Sequence, residues 1–300
     1  MIDAGKQPRY MGTILRLMER SSATELWGKY TDRGKTRLLA GGGEKTGTTW
    51  TSLPGPSAGK ELPDSHWRII TASRLGALSV RPGMHCALPR KKQGGAPCGR
   101  PLHKYMHHVW HCRSNVAALR VHGAVVGALA DELRLAGGFA DLERVVPAFA
   151  VKKPGGSLEV SILDITVWFP GWTTLFAIDV TIRFAGATRY TSARNTPGAA
   201  AARAEREKTA RYGNTVVPLA FEHGGRLGAL GMQGLHSLAE AALLARPDLG
   251  TARSLIMKWR RRLEAALFFA QADVLLRALH DSGECCSGAA EAVQALCVST

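Results

Sequence analysis

The sequence predicts an α/β protein of the α+β type, in which a small mixed sheet is flanked by helices. Within residues 157–184, two runs rich in Ile, Val, Leu, Phe, Trp and Thr lie on either side of a Pro-Gly turn, which is typical of paired strands. A further strand is predicted over residues 214–222, after a helical stretch. Two amphipathic helices, residues 231–246 and 250–281, follow the sheet.

The charge of the chain favours a nucleic acid as its partner. The 300 residues carry a net charge of +15, and 45% of them are apolar, which is enough for a sizeable core. No run approaches the roughly eighteen apolar residues of a membrane span, and the first residues lack the apolar stretch of a secretory signal. Six cysteines are too few for a disulfide scaffold. We therefore expect an intracellular protein that binds nucleic acid and no membrane.

Composition along the chain predicts five segments. Residues 1–60 form an N-terminal segment and linker, whose Gly/Pro/Ser/Thr-rich part lacks the Gly-x4-Gly-Lys-Ser/Thr pattern of a phosphate-binding loop. Residues 61–114 hold a short linker helix and a cysteine-histidine cluster, and residues 115–230 hold the core. Residues 231–283 are the C-terminal helices, and residues 284–300 are a tail.

Capping and turn signals bound the helices of the core. A helix is predicted over residues 115–136, and the glycine pair that follows marks its end. A lone histidine on this helix, His122, is interpreted as structural. Thr196 and Pro197 predict the start of a second helix, which ends at Gly213.

Each strand of the hairpin carries one acid in an otherwise apolar run, Asp164 in LDITVW and Asp179 in AIDVTI. If the turn centres between Gly171 and Trp172, the two acids lie opposite each other on one face, because side chains alternate along a strand. Their Cβ atoms would then be roughly 4.5–5.5 Å apart and the carboxylates would repel. A bound cation relieves this repulsion, and Mg²⁺ is commonly held by one or two carboxylates with waters and phosphates. In the alternative, the register slips and one acid is a solvated strand-end residue.

A cluster of cysteines and histidines predicts a zinc site. Three cysteines lie in a short Gly/Pro-rich span: Cys86, Cys98 and Cys112. Thiolates and imidazole suit tetrahedral Zn²⁺, and a loop this polar has little else to fold around. The fourth ligand is His107 or His108, with His103 and His111 less favoured. Eleven residues separate Cys86 from Cys98, more than in a standard knuckle, and the alternative is a set of free thiols beside a basic loop.

Basic residues near these elements are predicted to contact DNA phosphates, although basic loops are often simply solvated. They are Arg90, Lys91, Lys92, Arg100, Arg120, Arg260 and Arg261. On the helix after the hairpin, Glu205, Lys208 and Tyr212 have the spacing of one helix face. The same pattern is typical of a solvated, ion-paired helix surface. Glu143 and Glu222 are weaker candidates for a second metal ion or a structural role.

The order of these elements resembles the core of the PD-(D/E)XK restriction-like nucleases: helix, strand with Asp, strand with Asp, helix with Lys, strand. The further pattern resembles one branch, the endonuclease domain at the C-terminal end of polyproteins of early-branching, site-specific non-LTR retrotransposons. Four stretches within roughly residues 48–230 carry the likeness. They are WTSLPGPSAGKELPDSHWRIITASRLG, the knuckle CGRPLHKYMHHVWHC, the strands LDITVW and AIDVTIRF with fourteen residues between the acids, and EREKTARYGNTVVPLAFEHGGRLG.

This resemblance implies a restriction-endonuclease-like core and a metal-dependent endonuclease that nicks target DNA for retrotransposon integration. It implies that Asp164 and Asp179 hold Mg²⁺ or Mn²⁺ and that Lys208 stabilises charge on the phosphate. Tyr212 would hold the substrate or support the lysine. His108 would be the fourth zinc ligand. DNA is the implied partner, with the RNA of the element as a further candidate, and the nucleus is the implied location.

Three features depart from the family pattern. Leu163, not proline, precedes the first acid, and Thr181 stands where many members carry the lysine of D-x-K. The branch takes that lysine from the following helix, where Lys208 fits, although the insertion before it is long. The chain also has no YxDD-type polymerase motif. The alternatives are therefore a non-catalytic, zinc-containing nucleic-acid-binding protein, from a degenerate or domesticated element, and a cellular structure-specific nuclease.

Overall fold

The structure is a computed structural model that describes residues 65–66, 69–70, 73, 83–89, 95–102, 107–112, 116–152, 158–194 and 196–281. Its helices are α1 (His107–His111), α2 (Val116–Leu135), α3 (Ala199–Tyr212), α4 (Ala229–Ala245) and α5 (Ala252–Asp281). Its strands are β1 (Phe139–Val145), β2 (Val151–Lys152), β3 (Leu158–Glu159), β4 (Ile162–Trp168), β5 (Phe176–Arg183) and β6 (Val216–Glu222). The predicted segments 1–60 and 284–300 lie outside the described residues. None of the described helices is long and apolar enough to cross a membrane.

Four strands form a mixed sheet in the order β1-β4-β5-β6, and β2 pairs with β3 separately. The pairs β1–β4 and β4–β5 are antiparallel. The pair β5–β6 is parallel, which requires a crossover connection, and α3 lies in that connection. The predicted class, a small mixed sheet flanked by helices, is confirmed.

The helices cover the two faces of the sheet unequally. On one face α3 packs closely, because small residues meet: Ala201 and Ala204 contact Ala220 of β6. On the other face α2, α4 and α5 share one core, in which Leu129 packs with Ile178 and the rest of the buried strand residues. The buried cysteines of the cysteine-histidine cluster belong to the same core. The residues predicted as a separate C-terminal helical segment therefore complete the main core.

The β4–β5 hairpin has the register that the sequence predicts. Ile165 pairs with Ile178, so Asp164 and Asp179 are the next residues along the two strands. The pattern of apolar residues selected this register, since a slip by one residue would move every core side chain to the opposite face.

The sequence analysis missed strand β1. It lies at the edge of the sheet, and most of its side chains are exposed, so it lacks an alternating apolar pattern. The charged residues Asp141, Glu143 and Arg144 are typical of edge strands, where they oppose unwanted pairing. Glu143 also has a φ of 51°, and the pairing of β1 with β4 skips it and Asp164.

Helix α3 begins later than predicted. The sequence predicts a start at Thr196 and Pro197, whereas the helix starts at Ala199. Gly198 precedes it with a φ of 83°, in the left-handed region that favours glycine. Because glycine has no side chain to cap the helix, the carboxylate of Glu222 does so from β6. The predicted C-terminal end of this helix is confirmed.

Candidate functional site

A buried ion pair joins the second acid of the hairpin to helix α3. Lys208 Nζ donates a hydrogen bond to Asp179 Oδ2 at 2.7 Å. The side chain of Asp179 is 6% exposed and that of Lys208 is 23% exposed. The amine therefore retains contact with solvent while the carboxylate is enclosed. A carboxylate buried to this degree requires a cation or hydrogen bonds to compensate its lost hydration.

Tyr212 lies one turn after Lys208 and contacts the same acid. Its hydroxyl donates a hydrogen bond to the Asp179 carboxylate. The Lys208 Nζ lies 5.8 Å from the centre of the tyrosine ring, and Phe149 meets that ring edge-on at 5.6 Å. The structure thus brings both predicted residues of α3 to Asp179.

Asp164 has different partners from those of Asp179. Its Oδ2 accepts a hydrogen bond from the backbone amide of Val180 at 2.6 Å. The same oxygen lies 3.2 Å from Nε2 of His122 on α2. Since the pairing of β4 with β5 stops at Ile165, the carboxylate serves that amide in place of a strand partner.

The alternation of side chains along β4 breaks at Asp164. Leu163 packs with Tyr212 on the α3 side of the sheet, whereas Ile165 packs into the core on the other side. Residues two apart on a regular strand share a face, so the strand twists between them. The prediction that both acids share one face is therefore wrong: Asp179 meets Lys208 on the α3 side of the sheet, whereas the carboxylate of Asp164 reaches His122 of α2.

The two carboxylates nevertheless interact electrostatically. Burial raises the pKa of Asp179 above its ordinary value, the positive charge of Lys208 opposes that rise, and the negative charge of Asp164 adds to it. The hydrogen bond to Asp164 raises the pKa of His122, with burial acting in the opposite direction. The two carboxylates are therefore close enough to interact, and each has a basic side chain as its partner, Lys208 for Asp179 and His122 for Asp164.

Sequence reasoning missed His122 as a residue of this site. Its Nε2 lies 3.2 Å from the carbonyl oxygen of Val180 as well as from Asp164. The only sequence signal for His122 was that an ionisable side chain lies beside the apolar face of a helix. That signal does not say which strand the histidine meets, because the contact joins residues far apart in the chain.

Two buried glutamates act as helix caps. Glu222 Oε1 accepts a hydrogen bond from the amide of Ala200 at 3.0 Å, and Glu205 Oε1 accepts one from the amide of Gly231 at 2.9 Å. Burial raises the pKa of both carboxyls, and the helix amides oppose the rise. Of the two roles considered for Glu222, this placement favours the structural one. Glu143 is exposed on β1.

The second site brings together four predicted zinc ligands: Cys86, Cys98, His108 and Cys112. Two short antiparallel arms carry the first two cysteines. The Cys86 amide donates to the Arg100 carbonyl at 2.8 Å, and the Cys98 amide donates to the Leu88 carbonyl at 2.9 Å. Helix α1 carries the histidine, and Cys112 directly follows that helix. Of the two histidines left open by the residues alone, the structure brings His108 into the cluster, as the resemblance implies.

The spacing of these ligand atoms fits a tetrahedral metal. All four lie within 4.8 Å of one another. Sγ of Cys86 and Sγ of Cys112 are 3.8 Å apart, and Sγ of Cys98 is 3.3 Å from Nε2 of His108. Zinc bonds to sulfur and nitrogen require separations of about 3.8 and 3.5 Å in a regular tetrahedron. Burial raises the pKa of the Cys86 thiol to about 12, so a metal must displace its proton. The cluster is therefore compatible with zinc.

The predicted DNA contacts divide into exposed and enclosed residues. Three of them lie outside the described residues: Arg90, Lys91 and Lys92. Arg100, Arg120 and Arg261 are exposed. The side chain of Arg260 is only 15% exposed, and its Nη2 lies 3.5 Å from the buried Glu264. This arginine is therefore better placed to neutralise a core carboxylate than to reach a phosphate.

The two sites define a mixed α/β protein that joins a Cys₃His module to a sheet with a buried Asp–Lys pair. No protein-family model matches the chain, and a search of the curated proteins finds no match. The function is therefore inferred from the residues and geometry of these two sites.

Proposed function

We propose that this protein is a metal-dependent DNA endonuclease, which nicks target DNA for the integration of a retrotransposon. The observation that carries the proposal is the bond from Lys208 on α3 to Asp179 on β5. A buried acid with a lysine from the next helix is the arrangement expected of the proposed nuclease branch. It does not follow from helix periodicity, which is equally consistent with a solvated lysine.

The order of elements also supports a restriction-endonuclease-like core. Helix α2 precedes the strands that carry Asp164 and Asp179, the helix with Lys208 follows, and β6 then pairs parallel to β5. This is the order on which the resemblance rests. The long connection before α3 does not separate the lysine from the acids.

In this proposal Asp164 and Asp179 would hold Mg²⁺ or Mn²⁺ together with waters and substrate phosphates, since Mg²⁺ is commonly held by one or two carboxylates. The structure does not offer a cage made only of protein ligands: among the described residues, the only close group of three or more metal-ligating side chains is the cysteine-histidine cluster. When bound, such a cation would polarise the scissile phosphate and lower the pKa of a bound water.

The side chains around the acids have separate roles in this proposal. Lys208 is partly exposed, so it can move from Asp179 to the phosphate and stabilise the charge that develops there. Tyr212 then retains a hydrogen bond to Asp179. His122 is a positioning residue, because it holds the Asp164 carboxylate beside β5.

In this proposal the cysteine-histidine cluster and the exposed arginines bind the DNA. Zinc bound by Cys86, Cys98, His108 and Cys112 would hold the two arms and α1 together. Exposed residues such as Arg100 and Arg120 would contact phosphates. Binding through phosphates predicts an affinity that falls steeply with salt.

Plasmid nicking tests the proposal. With Mg²⁺ present, the wild-type protein should relax supercoiled plasmid, and Asp179→Asn should abolish nicking while leaving DNA binding intact. Asp141→Asn, which alters an exposed acid of the same sheet, is the matched control and should nick normally. Nicking that survives Asp179→Asn would reject the assignment. Binding without cleavage by the wild type, in Mg²⁺ and in Mn²⁺, would select the non-catalytic alternative, and a preference for branched over linear duplexes would select the structure-specific nuclease.

A further inference from the structure

A groove of about 370 Å³ lies beside the acid pair, between α1, α2, α5 and the ends of β5 and β6. His122 and Val180 line it, and both contact the carboxylate of Asp164. The groove therefore adjoins the proposed cutting site, from which the side chain of His122 separates it. Its volume is within the range of small-molecule sites, about 300–1,000 Å³.

One part of the lining is aromatic. Trp110 of α1, Phe184 after β5 and His223 after β6 all face the groove. The rings of Phe184 and His223 pack edge-to-face, with centroids 4.5 Å apart. Flat aromatic surfaces bind nucleobases by stacking, whatever the base, because every base has a π face.

The other part of the lining can form hydrogen bonds. Gln271, which is 3% exposed, lines the groove together with His122. Nε2 of Gln271 donates to the carbonyl oxygen of His223 at 2.8 Å, which fixes the amide group in position. The edge of a base offers donors and acceptors to polar side chains of this kind.

The rim of the groove adds charge complementarity. Leu119 lines the groove from α2, and the next residue, Arg120, is exposed. The chain carries a net charge of +15. Arg120 is thus a candidate contact for the phosphate of a nucleotide whose base lies in the groove.

We propose that this groove receives one unstacked base of the nucleic acid strand next to the scissile phosphate, an inference that rests on the proposed cutting function. The base stacks against the aromatic part of the lining and hydrogen-bonds to its polar part. The protein would then prefer to bind DNA at nucleotides whose bases leave the helical stack most readily.

The test compares two tryptophan substitutions on the same helix. Leu119→Trp fills the groove from a side chain that is 50% exposed, and Leu135→Trp makes the same change at a 64% exposed leucine more than four turns away. Because both leucines are exposed, neither change is expected to disturb the core, and matching melting curves check this. The probes are a 20-nucleotide single strand of mixed sequence and an abasic strand of the same length, in buffer without Mg²⁺.

Wild type and Leu135→Trp should bind the base-bearing strand about tenfold more tightly than the abasic strand, whereas Leu119→Trp should lose most of that ratio. An unchanged ratio in Leu119→Trp would overturn the inference. The cutting function is measured separately, by plasmid nicking. If the wild-type protein nicks but binds both strands equally well, the base-binding role of the groove is rejected and the nuclease proposal stands. If Leu119→Trp removes the preference for the base-bearing strand but the wild-type protein does not nick, the groove binds a base and the nuclease proposal is rejected.

Discussion

Nζ of Lys208 lies 2.7 Å from Oδ2 of Asp179, so helix α3 supplies the positive charge that strand β5 lacks. Thr181 stands two residues after Asp179, where a strand-borne lysine would share its face. The amine instead reaches the acid from the neighbouring helix.

Replacing Lys208 by methionine should abolish nicking and destabilise the fold. The change leaves the Asp179 carboxylate buried beside Asp164 without its cation. Loss of a buried partner costs about 3–5 kcal/mol, which partial exposure of the lysine reduces to roughly 2 kcal/mol. Urea unfolding measures this loss. Mg²⁺ should restore stability in Lys208→Met more than in wild type, because the metal replaces the missing charge.

The control for Lys208→Met is Arg206→Met, an exposed position on the same helix. It should retain both stability and nicking. Equal stabilisation of wild type and Lys208→Met by Mg²⁺ would contradict a cation site at Asp179.

The contact between His122 and Asp164 should make stability depend on pH. The folded pKa of His122 is raised above 6.5, first by its hydrogen bond to Asp164. The folded state therefore binds the proton more tightly than the unfolded chain, so the stabilisation is complete below pH 6.5 and is lost as pH rises through the folded pKa. Urea unfolding of wild type and His122→Gln, between about pH 5.5 and 9, should give a difference that shrinks with rising pH. His236→Gln, at an exposed histidine of α4, is the matched control for the substitution itself.

Glu222 should stabilise α3 as a hydrogen-bond acceptor rather than as a charge. Glu222→Ala leaves the Ala200 amide without its acceptor and should cost about 1–3 kcal/mol. Glu222→Gln keeps the carbonyl oxygen and removes the buried ionisation. Since burial raises the folded pKa of this carboxyl above 4.5, wild-type stability should fall as pH rises through that pKa, and Glu222→Gln should lack this fall. Thermal melting against pH checks both, with the exposed Glu240→Gln as control.

The cysteine-histidine cluster should bind about one zinc ion per chain. Cys98→Ser removes one of the four clustered ligands and should lose the metal. Cys297→Ser, in the tail predicted from the sequence, is the control and is expected to retain it. Structural zinc contributes on the order of 10 kcal/mol in zinc-finger peptides, so chelation should lower the melting temperature markedly. Elemental analysis measures the metal directly. Equal zinc content in both variants would contradict the site.

Two neighbouring arginines on α5 should behave differently. Arg261 is exposed, so Arg261→Ala should weaken DNA binding and reduce the slope of log affinity against log salt by about 1. Arg260 lies on the buried carboxylate of Glu264, so Arg260→Ala should instead destabilise the fold. Salt-dependent binding and thermal melting separate the two effects. A purely binding defect in Arg260→Ala would contradict its placement.

The sequence by itself determined the elements whose cause is local. Alternating apolar runs predicted β4 and β5 and their register, and the glycine pair after residue 136 predicted the end of α2. The clustering of cysteines and histidines in one short, polar segment predicted the metal-type cluster that the structure brings together. In each case the physical signal lies in residues near one another in the chain.

Only the tertiary structure decided which distant groups meet. The edge strand β1 has few buried side chains, so no periodic pattern marks it. His122 meets Asp164, and Glu222 caps α3, through contacts that no local pattern encodes. The break in the alternation of β4 at Asp164 is likewise tied to a contact between elements, the hydrogen bond from the Val180 amide to the Asp164 carboxylate. These features depend on packing between elements, which determines where a buried polar group finds its partner.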